Sequence, residues 1–142
     1  MPKLLFSICS ESVNIDALTN NVSLFNIVES IKSTKFPATF YRMFVTSLWQ
    51  RDPGEEGKGF ESKVQLVEEG GRVIREWHAT FKFEKPHHRH FIMIRDIQFE
   101  KPGVYTFEVF IRNEGISTWD EEPVHRIPII LSSVPELPNV LK

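Results

Sequence analysis

Val73-Ile-Arg-Glu-Trp-His-Ala-Thr-Phe-Lys-Phe83 decides the fold. One set of alternate positions reads Val73, Arg75, Trp77, Ala79, Phe81, Phe83; the other reads Ile74, Glu76, His78, Thr80, Lys82. Apart from the two ends, this is the apolar-in, polar-out alternation of a strand with one face on a core. The same period of two runs outward in both directions. Before it lie Lys3–Val13, Val22–Ile31, Tyr41–Gln50 and Phe60–Val67; after it lie His90–Phe99, Val104–Arg112 and Val124–Leu131. Eight such segments at intervals of roughly 10–20 residues have the spacing of a sandwich or barrel. The reading is therefore an all-β chain, an antiparallel immunoglobulin-like β-sandwich of about eight strands.

The breakers fall between the segments. They are Asn20-Asn21, Phe36-Pro37, the Gly-rich stretch Asp52–Gly59, Gly70-Gly71, Pro102-Gly103 and Pro123. Gly70-Gly71 suits a tight hairpin with positive φ at both residues. Pro128 lacks a backbone donor, which predicts that the last strand is an edge or is bulged there. At most one turn of helix is expected, in Val13–Thr19 or Asn26–Lys32. Residues 1–133 read as one domain, and residues 134–142, with Pro135 and Pro138, as an extended tail.

Phe99-Glu-Lys-Pro-Gly-Val-Tyr105 carries the most specific structural signal. Pro102 followed by Gly103 calls for a type II turn. Such a turn has the wrong twist for a two-residue hairpin, so it is expected to carry the chain from one sheet to the other. A tyrosine two residues after the glycine resembles the tyrosine corner of immunoglobulin-like sandwiches. The Tyr105 hydroxyl should then bond backbone near Lys101; the alternative is a core tyrosine with a solvated hydroxyl.

Composition narrows the function classes. At 142 residues the chain is long enough to bury its own core. A net charge of −2, from 17 basic and 19 acidic residues, provides no basic footprint for nucleic acid. No apolar run approaches the roughly 20 residues of a membrane span. Met1–Ser10 is too interrupted for the roughly 7–15 apolar residues of a signal peptide's core. The single cysteine, Cys9, rules out an internal disulfide. These features point to the cytoplasm.

Several stretches together resemble a known group. They are Met1-Pro-Lys-Leu-Leu-Phe-Ser-Ile-Cys-Ser10, Asp16-Ala-Leu-Thr-Asn-Asn-Val-Ser-Leu-Phe-Asn-Ile-Val-Glu29, Phe36-Pro37, Leu48-Trp49 and Pro102-Gly-Val-Tyr-Thr-Phe-Glu108. The chain resembles, up to about Arg112, an uncharacterised family of small bacterial β-sandwich proteins. The resemblance implies the fold and a bacterial origin, and it brings no activity, cofactor or catalytic residue.

The candidate chemistry is thin. His87-His88-Arg89-His90 offers imidazoles, which ligate zinc, nickel or copper. In an extended chain His88 and His90 project to one side and His87 to the other. No cysteine or carboxylate stands at a ligand spacing, and Arg89 and Lys85 disfavour a cation, so a solvated polar loop is the preferred reading. An anion-binding or pH-sensitive loop is the remaining option. Asp52–Gly59 lacks the alternating carboxylates of a calcium loop and reads as a mobile hairpin loop. Asp120-Glu-Glu122 reads as a solvated face rather than a glycosidase pair. Trp119 is the tryptophan expected to be exposed and able to stack on a sugar, whereas Trp77 reads as core. Cys9 reads as a buried, inert thiol. No catalytic residue, cofactor or metal is expected.

The functional expectation is a non-enzymatic protein-interaction or assembly module that self-associates. Segments such as His90–Ile97 carry apolar residues on both faces, which calls for cover on both sides. The opposite sheet is one cover and a second copy of the chain the other. The rival is a small-ligand domain for carbohydrate or an anion, using Trp119 and the His87–His90 loop.

Overall fold

The computed structural model describes residues 1–136. Nine strands form among them: β1 (Lys3–Ile15), β2 (Val22–Ile27), β3 (Ser30–Ser33), β4 (Ala38–Gln50), β5 (Gly59–Val67), β6 (Val73–Lys82), β7 (His87–Phe99), β8 (Gly103–Asn113) and β9 (His125–Ser133). They make a four-stranded sheet in the order β2-β1-β4-β7 and a five-stranded sheet in the order β3-β9-β8-β5-β6.

Alternation sets the core. Met43, Val45 and Trp49 of β4 lie opposite Ile94, Ile92 and His88 of β7, so all six share the inner face. From the other sheet Phe60, Val64, Leu66, Phe107 and Ile129 meet them, all buried. Burying aliphatic and aromatic side chains of this size contributes about 1.5–3 kcal/mol each, which drives the two sheets together. Trp77 is half-buried and packs on Phe107 at 6.1 Å, so it lines the edge of the core rather than its centre.

Four expectations are corrected. The run Val22–Ile31 is two strands, because the chain changes sheets at Val28-Glu29. The sheets are not wholly antiparallel, since β3 pairs with β9 in parallel from Ser30↔Ile130 to Ser33↔Ser133. In the β5–β6 hairpin only Gly71 takes a positive φ, of 90°; its amide donates to the Glu68 carbonyl and one left-handed residue suffices. Gly103 has φ 149°, more extended than a type II turn allows, because it already pairs with Leu131 as the first residue of β8.

Other expectations hold. The chain does cross between sheets at Pro102-Gly103. The Tyr105 hydroxyl donates to the Lys101 carbonyl at 2.7 Å, while its ring packs edge-on against Phe99. At Pro128, β9 has β8 as its sole neighbour among the described residues, so the proline sits on a local edge. Of the expected tail, Val134 bonds back to the Ser33 carbonyl, and residues 137–142 lie outside the described residues. No described helix is long and apolar enough to cross a membrane.

Candidate functional site

The histidine cluster opens β7. His88 and His90 face inward, as their partners Trp49 and Ser47 do, while His87 and Arg89 face outward. His88 lies flat on Phe81 of β6, with ring centroids 4.3 Å apart and planes 2° apart, and His90 stacks beside it at 6.3 Å. Burial lowers the pKa of both imidazoles, and the neighbouring His88 lowers that of His90 further. This pair therefore belongs to a side of the sandwich, where β7 and β6 meet. Farther along that side the Arg75 guanidinium reaches from β6 to the carbonyls of Arg95 and Asp96, at 2.7 and 3.3 Å. Among the described residues no group of three or more His, Cys, Asp or Glu side chains is placed to hold a metal ion.

Trp119 sits elsewhere, on the outer face of the five-stranded sheet. The Arg112 guanidinium lies 3.9 Å from its ring centroid and the Lys63 ammonium 5.0 Å, with Phe110 and His78 at its edges. Arg112 is itself held by Glu61 at 2.6 Å. The tryptophan is half-buried and covers Phe110, so it caps a small outer cluster. The structure does not bring Trp119 together with the His87–His90 residues.

Other candidates find structural partners. Cys9 is buried 3.5 Å from the Met43 sulfur, and burial pushes its thiol up to about 12. In the Asp52–Gly59 loop, buried Glu55 accepts the Asp52 amide, and the Met1 ammonium lies 3.0 and 3.1 Å from Asp52 and Glu55. Glu122 pairs with Arg126 at 2.7 Å.

Two surfaces have more to offer. The first is the outer face of the four-stranded sheet. Register places Phe6 and Ile8 of β1, Phe44 and Leu48 of β4, and Phe91 and Met93 of β7 on it. Phe25 and Ile27 of β2 extend it, 49% and 55% exposed. The β1–β4 ladder ends at Ser10↔Phe44, beyond which the β1–β2 hairpin leaves the sheet. Its tip returns over this face, where the backbone and side-chain oxygens of Asn20 accept Arg89 at 2.9 and 3.1 Å. Arg89 is paired with Leu48, four rungs from the hairpin's root, so the hairpin lies across the sheet as an arm. The arm is thus part of the second cover that the two-faced strands demand.

The second surface is a cleft of roughly 370 Å³ between β1 and β9. Ile8, Cys9, Val28, Ile127, Pro128 and Ile130 line it, and Ser7 stands at its edge. Sequence reasoning missed it, although Pro128 was the available signal of a strand edge.

The chain belongs to a family of unknown function (DUF6941), whose model matches residues 5–131. That span reaches past the Arg112 limit of the resemblance seen in the sequence. No curated protein matches the chain.

Proposed function

We propose that this protein is a non-enzymatic interaction module that self-associates through the outer face of its four-stranded sheet. The observation carrying the reading is the apolar surface left exposed here: Phe25 and Ile27 on the β2 strand of the arm itself, and Met93, 44% exposed, on β7. Large apolar side chains exposed on one sheet face suit an association site. A second copy is the favoured occupant because a two-fold axis would set the same surface against itself and close the assembly. The cytoplasm is the compartment we assign, given a lone cysteine that is buried and unpaired.

The strand order supports a finer reading of the fold as immunoglobulin-like. β2 and β3 behave as one edge strand divided between sheets, its second half parallel to the last strand. The sheet β3-β9-β8-β5-β6 then follows the order A′-G-F-C-C′, and Tyr105 opens strand F, the place of a tyrosine corner. β1 is an additional strand between A and B.

Sedimentation at micromolar concentration tests the association. The expected result is a dimer mass that the double change Phe25→Ser, Met93→Ser, at two exposed residues outside the β1–β9 cleft, weakens by about tenfold or more. A monomer mass throughout defeats the reading. The rival, a carbohydrate or anion domain, finds less support because Trp119 and the His87–His90 residues lie on separate surfaces.

A further inference from the structure

The side of the sandwich between β1 and β9 lacks a strand along part of its length. β2 pairs with β1 only from Ser10 to Ile15. β3 pairs with β9 only from Ile130 to Ser133. Between these ladders the chain crosses from sheet to sheet, with the Val28 amide donating to the Cys9 carbonyl and the Ile130 amide to the Glu29 carbonyl. Beyond the crossover, Lys3–Cys9 of β1 and His125–Ile129 of β9 each have a neighbouring strand on one side alone among the described residues. The apolar cleft opens between those two bare edges.

We propose that the cleft receives an extended peptide segment of a partner protein, which adds as a strand to the free edge of β1 and sinks an aliphatic side chain between the sheets. This deepens the reading of the chain as an interaction module and gives it a second binding surface, one that adjoins the outer sheet face and shares Ile8 and Ile27 with it.

The groups left bare identify the occupant. Backbone directions alternate along a strand, so the Cys9 carbonyl, shown by its bond to Val28 to face the edge, fixes the direction of Ser7 as well. The Ser7 N–H and C=O therefore point outward, an adjacent donor and acceptor at one position. Only extended backbone presents the complementary acceptor and donor at the matching repeat, which is the basis of strand addition. The β9 edge is a poorer partner. Ile130 donates outward, so Pro128 also faces the edge, and it has no N–H to offer. Asymmetry between the edges thus directs the incoming strand to β1. The aliphatic lining from Ile8, Ile127 and Ile130 sets the preference for a Val, Ile or Leu side chain. The Ser7 hydroxyl is already paired with Ser47 at 2.9 Å inside the sandwich, so β1 is held firmly while its outer edge stays free.

The test uses the whole protein and a panel of acetylated peptides of about ten residues, alternating Thr with Val, Ile, Leu or Phe and carrying a lysine pair for solubility. Hydrogen exchange should show slowed amides at Ser7 and its neighbours on β1 when an aliphatic member binds. The same peptide N-methylated at alternate residues keeps its side chains and loses one edge of donors. It should bind about tenfold more weakly or worse. Ile130→Trp, at the exposed rim of the cleft, should abolish binding while circular dichroism stays that of the parent. Equal binding by the N-methylated peptide, protection confined to other strands, or no binding by any panel member at millimolar concentration overturns the proposal. A monomeric protein that binds the panel would defeat self-association and leave this site standing, so the two readings fail separately.

Discussion

The two long sides of the sandwich are closed to different degrees. Where β6 meets β7, side chains bridge the sheets: Phe81 carries His88 flat upon it, and Arg75 caps two carbonyls of β7. Where β1 meets β9, backbone does the bridging, through one crossover, and a cleft remains beside it. Side-chain closure seals a length of seam but makes stability sensitive to a few residues. Backbone closure is insensitive to side chains and leaves bare edge. The first side is therefore structural, and the second is available for binding.

The largest test of this contrast is a pair of truncations. Phe81→Ala removes a buried ring that touches Trp49, Phe60, Phe83 and His88, and should cost about 3–5 kcal/mol in chemical denaturation. Ile130→Ala on the cleft rim, half-exposed, should cost about 1 kcal/mol or less. Similar costs at the two positions would break the comparison.

How much of this was legible in the sequence depends on what each residue could signal. The Val73–Phe83 alternation located β6, and Phe81 and Phe83 fell inside as read. The sheet change at Val28-Glu29 left no trace, because apolar residues continue through it and neither glycine nor proline marks it. The side-by-side placing of His88 and His90 was legible, but their inward direction was not. The strand that follows is apolar at both parities, with Ile92 and Ile94 alternating with Phe91 and Met93, so nothing in the pattern says which parity is inner. The covering of Trp119 by Arg112 joins a loop to a strand, a contact that periodicity does not encode. The arm was hidden likewise, since β1 and β2 have strand composition whether or not they stay in the sheet.

A smaller effect sharpens the account of the closed side. Arg75→Ala loses two hydrogen bonds to carbonyls at an exposed position, and should cost about 0.5–1 kcal/mol. Faster amide exchange should appear around Arg95 and Asp96 and not in β1. An equal rise in β1 would mean that the two sides are not independent.

The smallest effect is set by pH. His88 and His90 have native pKa values below the ordinary value of about 6.5. Between that value and the lower native ones the unfolded chain binds more protons than the folded one, so stability falls as pH is lowered through this window. It is fully retained above pH of about 6.5. His88→Phe with His90→Asn keeps an aromatic ring on Phe81 and removes both titrations, so the denaturation midpoint should lose most of its dependence in that window. An unchanged profile would assign the pH response to other groups.

The parallel pairing of β3 with β9 has a mechanical consequence. β9 is flanked by β3 on one side and β8 on the other at Ile130 and Leu131, and its four rungs to β3 run on from Ile130 to Ser133. A pull along the axis of β9 loads those rungs together, in shear, instead of opening them one after another. The short strand that looks least substantial in the fold thus adds to β8 in holding β9 against tension.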